Sequence, residues 1–229
     1  MTEIWEGFTR ALELIFTLDG EVLDVAGRSL FISGIACVIT AVITIPLGAL
    51  VHFNNFRGKH WVVSLIQTFY SLPTVLVGLL VFISFSSSGP LGELDLLFTP
   101  MVMIIGQVVL ITPLMMGLVI SALSGVDKGI SETAVSLGAS PLQAGLLTIR
   151  EARYAVTTAV IMGFGRAISE VGLALMVGGN IRGFTRTLTT AISLETSKGD
   201  LEFSMALGVI LLIIALVVNI SVNRLQRKT

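Results

Sequence analysis

The chain has 229 residues, 54% of them hydrophobic and only 13% charged, with a formal net charge of −1. Its mean hydropathy of +0.93 and its shortage of charge, against about 25% in soluble domains, argue against a water-soluble globular protein. Cys37 is the single cysteine and lies in an apolar stretch, which excludes a disulfide framework or a zinc site within one chain.

The chain opens MTEIWEGFTR, acidic and without a basic n-region followed by an apolar h-region, so no cleavable signal peptide is expected. Ile4, Phe8, Ala11, Leu12 and Ile15 recur at helical spacing, with Glu3, Glu6, Arg10 and Glu13 elsewhere around the wheel. This N-terminal amphipathic segment, 1–25, is too short and too charged to span. It is expected to lie in the membrane interface or to pack along a neighbouring subunit.

Charges are then absent from Ser29–Val51, Trp61–Ser86, Leu96–Val126 and Phe203–Asn223. Tyr154–Gly178 is interrupted only by Arg166 and Glu170. Each stretch exceeds the roughly 18–20 apolar residues that cross about 30 Å of hydrocarbon as a helix. The expected fold class is therefore an all-α membrane protein of about five transmembrane helices plus the N-terminal amphipathic helix. Pro46, Pro73, Pro100 and Pro113 fall within apolar stretches, where kinks suit packing around a pathway as well as plain helix packing. No internal repeat of the kind secondary transporters carry is evident.

Loop charges set the orientation. Arg57, Lys59, Lys128, Arg150, Arg153, Arg224, Arg227 and Lys228 fall on one side, against Arg10, Arg28, Arg182, Arg186 and Lys198 on the other. Lys and Arg are retained inside, so the N-terminus is expected outside, with loop 124–153 and the 225–229 tail in the cytoplasm.

That loop reads SGVDKGISETAVSLGASPLQAGLLTIREAR, whereas a plain connector between helices needs about 2–8 residues. Ile130, Ala134 and Leu137 are expected on one face of a short helix that Gly138 ends in a left-handed conformation. Ser140 as N-cap and Pro141 at the first position start a second helix. Two short helices at a bend make a rigid knob that can transmit a push from a docked partner. Ala134 and Gly138 would leave a smooth strip on it, and Glu132 a charge for a partner's arginine or amide.

Glu132-Thr133-Ala134, three residues, then Gly138 resembles the E-A-A-x-x-x-G signature of the permeases of ATP-binding-cassette importers, with Thr133 at the middle alanine. The I-x-L-P ending of that motif is replaced by Thr148-Ile149-Arg150-Glu151, and the Arg150–Arg153 run is similar to the tungstate branch. Ser71–Leu79 resembles the L-P-P-x-V-x-G-L segment of oxyanion permeases. Ser88–Gly92 with Leu97–Pro100 is similar to tungstate-type permeases, Gly165–Gly172 to their R-A-x-x-E-x-G element, and Gly179–Thr189 to the G-N-I-x-G-x-T-R-T-L-T stretch.

The resemblance runs from about residue 26 to the C-terminus. It implies a type I importer permease, a transmembrane domain over 26–224, and a homodimer in a prokaryotic plasma (inner) membrane. It also implies two ATPase subunits docked on Glu132, Thr133, Ala134, Gly138, Ser140 and Pro141, and an extracytoplasmic oxyanion-binding protein. Tungstate is the first expected cargo, with molybdate or sulfate as alternatives. No Walker A sequence occurs, so ATP is expected to be used by the partner chain, with no cofactor, catalytic residue, metal site or nucleic-acid site here.

Arg166 and Glu170, the only Asp, Glu, Lys or Arg residues inside a span, are spaced i, i+4 and are expected to pair along one helix face. With Pro73, Thr74 and Asn180 they are the candidates for the pathway or its gate. A stand-alone ion-coupled carrier is the rival from another class, but it has no need of the 124–153 knob. A membrane scaffold leaves Arg166 and Glu170 unexplained.

Overall fold

The computed structural model describes residues 2–17 and 19–227, with the side chains of 2–4, 15, 221–223 and 225–227 outside the description. The expected roles of Ile4, Ile15, Arg227 and Lys228 therefore lie outside the described side chains. Among the described residues the chain is helical, with no strand.

In chain order the helices are α1 (Thr2–Phe16), α2 (Gly20–Phe53), α3 (Lys59–Thr68), α4 (Thr74–Phe85), α5 (Pro100–Ser124) and α6 (Lys128–Ser136). They continue with α7 (Pro141–Glu151), α8 (Arg153–Ile168), α9 (Gly172–Gly178), α10 (Leu188–Lys198) and α11 (Leu201–Arg227). Three stretches, Gly20–Phe53, Pro100–Ser124 and Leu201–Ile220, are long and apolar enough to cross a membrane by themselves. Among the described residues the pairs α3 with α4 and α8 with α9 pass the same test as bent pairs, so the number is five when each bent pair is counted as one span.

Proline placement explains part of this. Pro46 and Pro113 sit inside α2 and α5. Pro73 and Pro100, also expected to kink helices, instead begin them. Pro73 is extended (φ −61°, ψ 121°) just before α4, and Pro100 is the first residue of α5. A first-turn amide has no helical acceptor to lose, so proline costs little there.

The helices belong to two compact units. One comprises the chain up to Ala36, Pro73–Gln107 and everything from Gly165; the other comprises Cys37–Leu72 and Val108–Phe164. In the first, α1, the start of α2, α10 and α11 share a core that includes Ala11, Leu14, Val25, Leu188 and Leu207. Segment 1–25 is thus not one amphipathic element. It divides after Phe16, and Asp19 accepts the Glu21 and Val22 amides at 3.0 Å to start α2.

The α1 helix packs on α11 of its own chain through Ala11 and Leu14, while Phe8 and Leu12, expected on its packing face, are exposed. In the same unit α4 packs on α9, where a Cβ on Gly78 would lie 3.1 Å from the Leu173 Cα. The second unit buries Ile111, Met115 and Val119 of α5 together with Ala152 and Ala159. There the Cys37 thiol donates to the Val160 carbonyl at 3.4 Å.

Candidate functional site

The expected knob forms within the second unit, and its geometry is local. The Asp127 side chain accepts the Gly129 amide at 2.8 Å and so caps α6. At the other end, Gly138 N–H donates to Val135 O at 2.9 Å and Ala139 N–H to Ala134 O at 3.0 Å. With Leu137 as C-cap this is the 5→2 and 6→1 pair of a Schellman closure. Gly138 takes the left-handed φ of +93° that the closure needs, a conformation an L side chain resists.

Only Ala139 then separates Gly138 from the next cap. Ser140 Oγ accepts the Gln143 amide at 3.3 Å, and the Gln143 side chain accepts the Ser140 amide at 2.8 Å. This is a capping box with Pro141 at the first helical position. Glu132, Thr133, Ala134, Gly138, Ser140 and Pro141 are therefore brought into one corner, as their spacing predicts. Ala134 supplies the acceptor that fixes the bend.

Two details differ from expectation. Leu137 is not on the face of α6; it is the C-cap residue and is 84% exposed. Gly138 lies past the end of α6, so it forms no strip with Ala134. The corner instead presents apolar side chains, with Val135, Leu142 and Leu146 exposed beside Leu137. Leu142 and Leu146 were not singled out from sequence, although leucines in a segment expected outside the membrane were the available signal. Glu132 is exposed and borders a cleft with His52, Lys59, Ser124, Lys128 and Thr148. In that cleft Lys59 Nζ donates to the His52 carbonyl at 2.6 Å.

The second group of candidates lies in the first unit. Thr74 is the first residue of α4, and a Cβ on Gly172 would meet Thr74 Oγ1 at 3.5 Å and Glu170 Oε1 at 3.6 Å. Thr74, preceded by Pro73, and Glu170 thus converge at the start of α9. Asn180 sits in the turn after α9 with φ +52°, and its amide donates to Thr190 O at 3.4 Å while Oδ1 is buried without a partner among the described residues. Thr185 Oγ1 donates to Gly178 O and accepts from Ile181 N, which closes the same turn.

The expected Arg166–Glu170 pair is absent from the described residues. The α8 helix ends at Ile168, so the i, i+4 relation does not exist in space. Glu170 is only 5% exposed, and its Oε1 accepts the Leu173 amide at 3.0 Å, one of the first-turn donors of α9. Its carbonyl accepts Thr189 Oγ1 at 2.8 Å. Arg166 is exposed, and no hydrogen bond or ion pair holds its guanidinium among the described residues. A charge at a span centre costs about 2.5–3.5 kcal/mol on insertion scales, so an unpaired one here calls for a polar surrounding.

An ionic cluster joins the start of α2 to the loop before α10, and the sequence did not reveal it because its members are 161 residues apart. Arg182 grips Glu21 with two hydrogen bonds, at 2.9 and 2.6 Å. The hydrogen bond and charge of Glu21 hold the Arg182 guanidinium above its ordinary range. Arg28 pairs with Asp24 at 2.6 Å and donates to the Arg186 carbonyl at 2.9 Å.

With this geometry in place, the comparison with known families is specific. The family of binding-protein-dependent transport system inner membrane components matches residues 44–229. The chain belongs to that family. The matched stretch contains every candidate residue from Pro73 to Asn180 and leaves out α1.

The tungstate uptake system permease protein TupB of Peptoclostridium acidaminophilum is 41% identical over 228 residues, covering 100% of both chains. A probable anion ABC transporter permease protein of Haloferax volcanii is 42% identical over 213 residues, 91% of this chain and 92% of that one. Among solved structures, the inward-facing MetNI methionine ABC transporter matches with a TM-score of 0.74 at 18% identity, covering 94% of this chain and 97% of that one. At that identity the likeness speaks to fold, and the fold is that of an ABC importer permease.

Proposed function

We propose that this chain is the membrane subunit of an ATP-driven tungstate importer, working as a homodimer with two ATPase subunits and an extracytoplasmic binding protein. The capped corner at 127–152 carries the coupling part of this reading. A segment that only linked two spans would have no use for two abutting caps, a left-handed glycine and four exposed apolar side chains. Those features make a stiff body with a sticky outer surface, the combination a nucleotide-driven partner needs in order to push on a membrane helix. The tungstate part is supported by the full-length similarity to a permease named for tungstate uptake.

In this reading the corner and the C-terminus face the cytoplasm, as the loop charges predict. ATP is bound and hydrolysed by the partner chain. Closure of the two ATPases moves both corners together and switches the pathway between outward and inward access. The binding protein selects the anion, and this chain moves it.

The test is tungstate accumulation in cells lacking the gene, restored by wild type and compared with Glu132→Arg and Leu142→Asp variants. Both side chains are exposed, so neither change disturbs packing. Each is expected to lower accumulation and ATP hydrolysis by the assembled transporter while membrane abundance stays constant. Normal coupling in both variants would remove the corner from the docking surface. Restoration of molybdate or sulfate but not tungstate accumulation would change the cargo and leave the coupling role intact. Neighbouring genes for a Walker A ATPase and a secreted binding protein are expected.

A further inference from the structure

Three observations at the end of α8 belong together. Arg166 is exposed within an apolar span and holds no partner among the described residues. Glu170, the counter-ion its spacing provides, is buried and committed to the Leu173 amide. Between them the helix stops, with Ser169 N–H reaching Gly165 O at 3.3 Å and Glu170 N–H reaching Ala167 O at 3.2 Å.

From this geometry we infer that Arg166 is the intramembrane contact for the transported oxyanion, and that Glu170 governs it by alternating between the start of α9 and Arg166. The inference rests on the oxyanion-import reading above. A guanidinium left against lipid is costly, so an unpaired one in a span belongs beside water. Its planar fork can present two parallel N–H donors to two oxygens of a tetrahedral dianion. The neighbouring face has room for one: Gly165 and Ser169 are exposed, and nothing among the described residues lies within 4 Å of a Cβ built on Gly165.

Transport also demands that the anion leave, and a permanent arginine site would retain it. Glu170 supplies the release. Its carboxylate serves either Leu173 N–H or, if α8 runs on as a helix through 170, the guanidinium one turn back. The broken helix therefore exposes Arg166, and the continuous helix neutralises it and displaces the anion.

Two readouts test this in cells carrying the complete transporter. Arg166→Gln is expected to lower tungstate accumulation about tenfold or more, the range of one charged hydrogen-bond contact, with Arg166→Lys falling less. Glu170→Gln keeps an acceptor for Leu173 N–H but loses the displacing charge, so it is expected to lower the maximal rate more than the apparent affinity. In a Cys37→Ala background, Arg166→Cys is expected to react with a charged, water-soluble methanethiosulfonate, and tungstate is expected to slow the reaction.

Wild-type uptake with undiminished transport by Arg166→Gln would overturn the inference. So would a thiol at 166 that the reagent cannot reach, because the side chain would then face lipid or a packed interface. A wild-type complex that moves no tungstate would instead refute the cargo reading. Thiol protection by molybdate or sulfate would in that case still support an oxyanion contact at 166.

Discussion

Two of the helix breaks among the described residues are built in different ways. At the α6–α7 corner every stabilising bond closes within a few residues: Asp127 to Gly129, Ala139 to Ala134, Ser140 to Gln143. The side chains at the bend itself are largely exposed, and burial begins only farther along α7, at Ala144 and Thr148. At the α8–α9 break the Glu170 side chain, one residue before the Val171 N-cap, accepts the Leu173 amide, and further bonds come from elsewhere in the unit, from Thr189 and from Gln107, which donates to Ala167 O at 3.2 Å. Leu173 behind it is wholly buried, so tight that a Cβ on Gly106 would lie 2.9 Å from one of its methyls. A locally closed bend moves as a rigid body. A bend held by packing can change when the packing does, which suits the proposed roles of a corner that transmits force and a break that gates.

Substitutions can break this contrast or sharpen it. The largest effect is expected at the packed break, where Gly106→Val overfills the space against Leu173 at a cost of about 1–3 kcal/mol. It is expected to lower the unfolding midpoint of the purified protein in detergent, and an unchanged midpoint would mean that the break is not packing-held. Thr189→Val leaves the buried Glu170 carbonyl without its hydroxyl donor, at a cost of about 1–3 kcal/mol. Its sharper consequence would be altered transport kinetics through a looser break.

Gly138→Ala is expected to cost about 1–2 kcal/mol, the penalty of a left-handed L residue, and to reduce coupled ATP hydrolysis more than it shifts unfolding. Ser140→Ala removes one half of the capping box and is expected to cost about 1 kcal/mol. Faster hydrogen exchange should then be confined to the first turn of α7; spread into α6 would show that the corner is less local than its bonds.

Much of this was readable from residue order. The apolar stretches coincide with α2, α5, α11 and the two bent pairs, because a span is a requirement on length and composition alone. Gly138, Ser140 and Pro141 announced the corner, because capping chemistry acts between residues two to five apart. The α10 helix was not anticipated. Its residues Leu188–Ala191 are buried, yet two of those four are threonines, and the helix shows no clear apolar period. Its start depends on Ser29 Oγ, 159 residues away, accepting the Leu188 amide at 2.8 Å.

The residues by themselves determined where the chain crosses the bilayer, where the capped corner stands, and which family's motifs it carries. These follow from short-range hydrogen bonding and from the cost of placing charge in hydrocarbon. Only the tertiary structure decided that α1 lies on α11 of its own chain and that Arg166 and Glu170 part company. Spacing offers Glu170 two competing partners, a guanidinium one turn back and an amide one turn ahead. Local geometry permits both, and the choice falls to the burial of Leu173 and the hydroxyl of Thr189, long-range contacts that no window of sequence contains.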